Sequence, residues 1–288
     1  MTAHPGIFLC LFEASVLFFI VNLCIFTNMW PSTQTLTSGV LITAALLVLG
    51  ACSSGSPLTR HDGSTAPAMA NPTDLPQPIQ GASSWRPEQT AQWREVRLPG
   101  KVPTEYRLVS LGGQSWLRAD ARRSASLLSQ VVDIDVRHHG RIRFDWRIEL
   151  ALHDADVALR DKEDSPVRLM LAFDGDRSEF STRDAAMSEL TQLMTGEPLP
   201  YATLMYVWCA KREIGTVVHN PRTDRIRKIV VANPRSAPNG GLVERDIVAD
   251  YQQAYGRSPG RLIGIAIMSD SDNTKGSARA LYGPIEIW

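Results

Sequence analysis

The stretch Arg141-Ile142-Arg143-Phe144-Asp145-Trp146-Arg147-Ile148-Glu149-Leu150 alternates apolar and charged residues with a period of two. Successive side chains of a β-strand point to opposite faces of a sheet. Phe144, Trp146, Ile148 and Leu150 therefore fall on one face, and the charged residues between them fall on the other. This pattern predicts a half-buried strand with one face on a core and the other toward water.

Comparable apolar runs recur along the chain and predict nine further strands, separated by clusters of Gly, Pro, Asn and Asp. These runs cover residues 106–111, 127–136, 167–173, 202–208, 215–218, 226–232, 242–248, 262–268 and 282–288. Two segments depart from the strand pattern. Ser181 or Thr182 can cap a helix that carries Ala186, Leu190, Leu193 and Met194 on one side, and residues 247–255 suit one or two helical turns before Gly256. Many short strands with two short helices, and no regular strand-helix alternation, favour an antiparallel β-sandwich of the jelly-roll type.

An uncharged run, residues 40–49, ends at Leu49-Gly50-Ala51-Cys52. It resembles the lipobox of bacterial lipoproteins, and this resemblance implies acylation of Cys52 and cleavage before it. Ten uncharged residues are too few to span a bilayer but fit the core of a signal peptide. A second apolar stretch, residues 6–26, is explained if translation starts at Met29 rather than Met1. The alternative is a transmembrane helix interrupted by Glu13 and Asn22, although such groups are costly within a membrane.

The predicted organisation has three parts: an export segment (1–51), a lipidated Cys52 with a Ser-, Pro- and Ala-rich tether (52–92), and a β-sandwich domain (93–288). The predicted location is the outer membrane facing the periplasm, with the lipid bilayer as a partner through the acylated Cys52. Thirty Lys and Arg residues balance 30 Asp and Glu residues, so the charge gives no indication of nucleic-acid binding. Cys209 is the single cysteine of the domain, which excludes an internal disulfide.

Several motifs of the domain resemble one uncharacterised bacterial family, domain of unknown function 3047. They are Leu199-Pro200-Tyr201-Ala202-Thr203, Asp145-Trp146-Arg147, Phe173-Asp174-Gly175-Asp176 and Ile267-Met268-Ser269-Asp270-Ser271-Asp272. The resemblance covers roughly residues 106–287. It implies a secreted or lipid-anchored β-sandwich similar to galactose-binding-like modules, with no known activity, cofactor or catalytic residue.

Oxygen-bearing side chains follow the apolar strand 262–268, at Asp270, Asp272 and Asn273. Carboxylate and amide oxygens are the ligands that calcium prefers, and calcium takes six to eight of them. Asp174 and Asp176 add two carboxylates if their turn lies at the same end of the sheet. The stretch therefore leaves a calcium or polar-ligand site open, against the simpler interpretation that these residues hydrogen-bond within their own turns.

Tyr201, beside Pro200 at a strand entrance, is the aromatic residue most suited to stack on a sugar ring at the surface. The leading hypothesis is thus a non-catalytic binding module for an envelope ligand such as a saccharide. A polysaccharide hydrolase built on Asp145 or Glu149 with Asp270 or Asp272, and a structural envelope protein without a small ligand, are the alternatives. No nucleophile elbow, zinc-binding His-Glu-x-x-His helix or phosphate-binding Gly-Lys-Ser loop occurs.

Overall fold

A computed structural model describes residues 79–80 and 83–288, which form two packed β-sheets and confirm the predicted mostly β sandwich. The predicted export segment and Cys52 lie outside the described residues. The strands are β1 (Ile79–Gln80), β2 (Ser83–Trp85), β3 (Arg94–Arg97), β4 (Glu105–Leu111), β5 (Gln114–Arg122), β6 (Ala125–Ile134), β7 (Arg141–Leu150), β8 (Ser165–Phe173), β9 (Ala202–Trp208), β10 (Val217–His219), β11 (Ile226–Ala232), β12 (Gly240–Asp246), β13 (Leu262–Asp270) and β14 (Ser277–Ile287). The helices are α1 (Thr182–Thr195) and α2 (Ile247–Tyr255), with 3-10 turns at Pro87–Gln92, Arg160–Lys162 and Arg177–Glu179.

The larger sheet has eight strands in the order β1-β6-β13-β8-β9-β11-β10, with β3 also paired to β6. Most neighbours are antiparallel, but β1 runs parallel to β6 and β11 runs parallel to β9. The start of β11 therefore lies beside the start of β9, with Ile226 opposite Thr203. This parallel pair, which the sequence did not predict, brings the segments that precede both strands to one end of the sheet.

The smaller sheet has six strands in the order β12-β7-β14-β5-β4, with β2 added to the end of β14. The strand β7, whose alternation predicted the sandwich, lies between β12 and β14. Phe144, Trp146 and Ile148 of its apolar face are buried as expected, with Phe144 and Trp146 packed edge to face at 4.8 Å between ring centroids, whereas Leu150 at the strand end is exposed. Phe144 also stacks on Tyr206 of the larger sheet at 5.7 Å, so the two sheets meet at an aromatic core.

The larger sheet is also covered on its outer face. Val157, from the segment between β7 and β8, packs there with Val207, Cys209 and Val230. Cys209 is a free, buried cysteine that contributes to this packing. Below the same segment, the buried Lys228 ammonium lies 2.6 Å from the Glu163 carboxylate and donates to the Val157 carbonyl at 2.9 Å.

The folded domain begins earlier than the sequence predicted. The boundary at residue 93 placed Trp85 in the tether, but Trp85 is buried in the core and its ring lies 4.5 Å from that of Trp93. β2, which ends at Trp85, pairs with β14. The Ser- and Pro-rich composition of the preceding segment concealed this short strand, because a three-residue strand gives almost no periodic signal.

Helix α1 turns its apolar side outward. Leu193 is 83% exposed, and Leu190 and Met194 are also exposed. The inward side instead carries Asp184 and Ser188, which hydrogen-bond to neighbouring segments. Neither α1 nor α2 is long and apolar enough to cross a membrane, nor is any other helix among residues 79–80 and 83–288.

Candidate functional site

A cavity of about 250 Å³ opens at the end of the larger sheet where β9 and β11 begin. We call it the tyrosine-arginine cavity. Three tyrosines and three arginines contribute most of its wall. Its lining residues are Tyr201, Ala202, Asp224, Arg225, Arg227, Tyr251, Tyr255 and Arg257.

Helix α2 positions two of the tyrosines. Asp246 caps the helix by accepting from the Ala249 amide, and Gly256 ends it in the left-handed conformation. Tyr251 and Tyr255 are four residues apart and thus share a helix face, with ring centroids 4.5 Å apart. The Tyr255 hydroxyl lies 2.7 Å from the carbonyl oxygen of Thr203, which fastens the helix to β9.

The hydroxyl of Tyr251 differs from the others. The Tyr251 side chain is 1% exposed and its ring packs edge to face on Phe173 at 4.8 Å. Burial raises the pKa of Tyr251 to about 12, so the hydroxyl is a neutral donor at pH 7. No hydrogen bond from a described residue reaches it. Because Tyr251 lines the cavity, a ligand bound there can satisfy this hydroxyl.

Tyr201 lies at the cavity, but not as the sequence predicted. It is 6% exposed rather than an exposed stacking platform, because one ring face packs against Gly175 and the ring stacks with Phe180. Its hydroxyl donates to the Glu179 carboxylate at 2.5 Å and accepts from the Arg257 guanidinium at 2.6 Å. Hydrogen bonds from the Tyr201 hydroxyl and the Arg257 guanidinium to the Glu179 carboxylate hold the pKa of Glu179 below its usual range.

The Arg225 guanidinium is held by two aromatic rings. Its central carbon lies 4.9 Å from the ring centroids of both Phe180 and Tyr201. One terminal nitrogen donates to the Glu179 carbonyl at 2.7 Å, and Nε lies 3.5 Å from the Asp184 carboxylate. That Nε atom is buried and makes no hydrogen bond within the described residues.

The positive charge of the Arg227 guanidinium is less well compensated by nearby carboxylates than that of Arg225. Its side chain is 13% exposed, and its carboxylate partner at 3.5 Å, Asp224, is 82% exposed to water. Another terminal nitrogen contacts Nδ1 of His219, which brings no negative charge. The Nε atom is buried without a partner among the described residues. The cavity wall thus holds a cation whose charge the surrounding protein neutralises poorly.

The sequence-predicted carboxylates separate into two groups. Phe173 pairs with Leu262 at one end of the β8-β13 ladder, and Ser165 pairs with Asp270 at the other. The expectation that Asp174 and Asp176 join the Asp270 loop is wrong, because these two strands are antiparallel. Asp174 and Asp176 lie instead in the turn beside Tyr201, where they accept hydrogen bonds from the Gly175 and Ser178 amides.

At the opposite end, Asp270 and Asp272 cluster with Asp164, which the sequence did not single out; one oxygen of each lies within 4.8 Å of the others. Each carboxylate already has protein partners. Asp270 forms a buried bidentate pair with Arg168 at 3.0 and 2.8 Å, and Asp272 pairs with Lys101. Because a cation must compete with these partners, calcium binding stays a prediction.

Asn273 lies in the turn of the Asp164 cluster. Its backbone amide donates to the Asp164 carboxylate at 3.1 Å, and its side-chain amide donates to the Arg160 carbonyl at 2.9 Å. Asp164 also accepts from the backbone amide and hydroxyl of Thr274. The turn therefore satisfies its own polar groups, as Asp and Asn turns generally do.

The carboxylates considered for hydrolysis do not meet. Asp145 and Glu149 lie on the outer face of the smaller sheet, where Glu149 pairs with Arg118 at 3.0 Å. The Asp270 side chain belongs to the outer face of the larger sheet, with its partner Arg168. The aromatic core lies between these faces. Asp145 keeps a buried, unpartnered carboxyl oxygen, and burial raises its pKa.

A larger but open depression of about 370 Å³ lies elsewhere on the smaller sheet, lined by Ser83, Ser84, Arg143, Glu286, Ile287 and Trp288. Its charged groups compensate one another. The Arg143 guanidinium lies over the Trp288 ring at 5.1 Å and 3.6 Å from the Glu286 carboxylate. The tyrosine-arginine cavity is therefore the stronger candidate, since its polar groups are left incompletely partnered.

Sequence reasoning missed the three arginines of the cavity. Arg225 and Arg227 belong to the basic run Arg222-Thr223-Asp224-Arg225-Ile226-Arg227-Lys228, which was a usable signal. Nothing in that run, however, indicates that it meets α2. The parallel pairing of β11 with β9 and the docking of the helix bring these residues together.

A family model described as a protein of unknown function (DUF3047) matches residues 91–286. No curated protein matches the sequence. Similar solved structures include the Spr0440 glycoside hydrolase domain, Endo-D, from Streptococcus pneumoniae R6, at 10% identity and a TM-score of 0.28 over 68% of this chain and 21% of that chain. They also include the cellulose induced protein Cip1, at 10% identity and a TM-score of 0.27 over 68% and 90% of the two chains. A third is the family 11 xylanase from Neocallimastix patriciarum, at 8% identity and a TM-score of 0.26 over 68% and 96%. The chain spans about a fifth of the length of the first of these. With scores this low, nothing is carried over from these proteins.

Proposed function

The chain belongs to the DUF3047 family of proteins of unknown function, and from that premise we propose that its domain is a non-catalytic binding module for a saccharide of the cell envelope. The observation that carries the proposal is that Tyr251 lines the tyrosine-arginine cavity and that its hydroxyl makes no hydrogen bond to a described residue. A sugar hydroxyl supplies the missing partner.

The size of the cavity supports a small polar occupant. Its volume of about 250 Å³ is below the range of about 300–1,000 Å³ that is typical of pockets for drug-sized ligands. One sugar ring, or the end of a chain, suits such a space better than a long apolar molecule. Hydroxyl and guanidinium groups converge on it from α2, the start of β11 and the segment before β9. Such convergent polar groups fix the orientation of a ligand.

The carboxylates of the cavity favour binding over hydrolysis. Glycosidases of the common type need two carboxyl groups flanking the scissile bond. Among the residues that line the cavity only Asp224 carries one, and Glu179 is engaged by Tyr201 and Arg257. This arrangement favours a binding module over the alternative of a polysaccharide hydrolase.

A glycan array of bacterial envelope saccharides, followed by calorimetry on each hit, tests the proposal. Tyr251→Phe removes a hydroxyl that makes no internal hydrogen bond, so we expect unchanged stability and weaker binding by about tenfold. Tyr106→Phe is the control, because its hydroxyl bonds to the Ser126 carbonyl between the sheets, away from the cavity lining. We expect the control to lose about 1 kcal/mol of stability and to keep its affinity. Absence of binding to every saccharide on the array would overturn the proposal.

We propose further that Cys52 carries the acyl chains that hold the domain at the outer membrane, facing the periplasm. The lipobox-like sequence before Cys52 supports this location. Intact-mass spectrometry of the membrane-extracted protein tests it. A mature chain beginning at an acylated Cys52 is expected, and a mass that includes residues 1–51 would contradict it. Cys52→Ala is expected to move the protein into the soluble fraction.

A further inference from the structure

We propose that the saccharide bound in the tyrosine-arginine cavity is acidic, with its carboxylate or phosphate oxygens placed between Arg225 and Arg227. This inference rests on the proposed function and names the class of ligand for the same site.

The charges of the cavity wall carry the first part of the argument. Three arginines line the cavity against a single carboxylate, that of Asp224. Because Asp224 is 82% exposed, water screens much of its attraction for Arg227 at 3.5 Å. Arg257 differs, since the Glu179 carboxylate and the Tyr201 hydroxyl lie at 2.6 Å from its guanidinium. The uncompensated positive charge is therefore concentrated at Arg227.

The buried Nε atoms carry the second part. Three arginine Nε atoms in the described residues are buried without a hydrogen-bond partner, and two of them belong to Arg225 and Arg227. A buried charged donor without a partner is costly unless a counter-charge is close. Water does not reach these atoms, and because the Nε atom of Arg225 lies 3.5 Å from the Asp184 carboxylate, the shortage of counter-charge is greatest at Arg227. An anion in the cavity supplies the missing counter-charge.

The two guanidinium groups are also held in place before a ligand arrives. The Arg225 guanidinium lies 4.9 Å from the ring centroids of both Phe180 and Tyr201, and the Arg227 guanidinium lies 5.7 Å from the Tyr255 ring centroid. Rings that restrict a guanidinium reduce the entropy lost when an anion binds. The unpartnered Tyr251 hydroxyl completes the set, because a neutral phenol donates to an anionic oxygen.

Calorimetric titration of the purified protein with matched sugars tests the inference. The probes are methyl β-D-glucuronide, glucose 6-phosphate and the neutral methyl β-D-glucoside. We expect at least one anionic probe to bind at least tenfold more tightly than the glucoside, and its affinity to fall as salt rises. Comparison of the two anionic probes distinguishes a carboxylate ligand from a phosphate ligand.

Arg227→Gln is expected to abolish this preference for the anion, and Arg225→Gln to reduce it at least tenfold. Arg143→Gln, at the open depression on the smaller sheet, is the matched control and should leave the preference unchanged. If Arg227→Gln shows no cooperative thermal unfolding transition, and is therefore not folded, Arg227→Lys is tested in its place. Lysine keeps the charge but loses the planar fork, so partial retention of anion binding is expected.

Equal affinity for the glucoside and both anionic sugars overturns the acidic class and leaves the proposed saccharide module intact. Anion binding that Arg227→Gln does not change overturns the assignment to this cavity. Absence of binding to both anionic sugars overturns the inference as well, whereas the glycan array decides the saccharide proposal separately.

Discussion

Replacing Gly175 with Ala should displace the Tyr201 ring and disrupt the tyrosine-arginine cavity. Gly175 lies in the turn after β8 with its α-carbon against that ring. A Cβ at this position would lie within 3.0 Å of three ring carbons, with Cε1 at 2.6 Å. The backbone of Gly175 is not in the left-handed region, so the need for glycine is steric rather than conformational.

The size of the effect follows from this geometry. Restoring an ordinary contact of 3.4 Å requires Cε1 to move by about 0.8 Å, and the two nearer ring carbons must move further. The ring has little room, because it is 6% exposed and stacks on Phe180. Overpacking of this kind costs typically about 1–3 kcal/mol. Displacement also weakens the hydrogen bonds of the Tyr201 hydroxyl with Glu179 and Arg257. We expect a loss of about 2–3 kcal/mol in the free energy of unfolding.

Urea unfolding of Gly175→Ala measures this loss, with Gly264→Ala as the matched control. A Cβ at Gly264 meets the nearest atom, Cβ of Ala172, at an ordinary 3.5 Å. The control should therefore be as stable as the wild type, or more stable by up to about 1 kcal/mol, because alanine lowers the conformational entropy of the unfolded chain. If Gly175→Ala is as stable as Gly264→Ala, the packing of Tyr201 on the turn is refuted. Sugar binding should fall in Gly175→Ala and persist in the control.

Three further variants test the buried charges. Lys228→Met should lower the free energy of unfolding by about 3 kcal/mol, because it leaves the Glu163 carboxylate, 2.6 Å from Nζ, without its partner. Adding Glu163→Gln should recover part of that loss. Chemical denaturation of both proteins checks this, and a Lys228→Met protein as stable as the wild type contradicts it. Burial alone raises the pKa of Asp184, but hydrogen bonds from the Thr223 and Ser181 hydroxyls and the nearby charge of Arg225 outweigh it and lower the pKa. The stability that the ionised Asp184 provides is thus present above pH about 4 and is lost as pH falls through the lowered pKa. Asp184→Asn should therefore flatten the pH dependence of the free energy of unfolding below pH about 4. A pH profile identical to that of the wild type argues against this role of Asp184. Asp250→Ala should lower the free energy of unfolding by about 3–5 kcal/mol, because it removes the carboxylate that lies 2.8 Å from the Arg245 guanidinium in the wild-type protein. A thermal midpoint equal to that of the wild type would rule out this account.

The strands were predictable because burial imposes a period of two. Phe144, Trp146 and Ile148 of β7 are buried and alternate with charged residues that face outward. Strands β8, β9 and β13 were identified instead as continuous apolar runs, and β9 is buried on both faces. Prediction failed where burial follows another rule. Helix α1 presents Leu193 to solvent, and its inward side is fastened by polar contacts of Asp184 that no hydrophobic pattern reveals.

The candidate site was predictable only in part. Tyr201 was identified from its position before β9, but its exposure was not, because Gly175 and Phe180 cover the ring from segments distant in sequence. The Asp270 cluster was located at one sheet end, and Arg168, its buried partner, is 102 residues away along the chain. Pairings across such separations depend on strand order, which the local sequence does not contain.

The sequence by itself determined most of the strands and both helices, the family, the balance of charge and the single cysteine of the domain, because local periodicity and composition are properties of neighbouring residues. Tertiary structure alone decided which charged groups are compensated. Arg225 and Arg227 are ordinary members of a basic run until β11 aligns beside β9 and α2 docks over them. Burial then excludes water from their Nε atoms, and the cost of an incompletely compensated charge rises as the local dielectric falls. That physical step converts two surface-type residues into the candidate anion site.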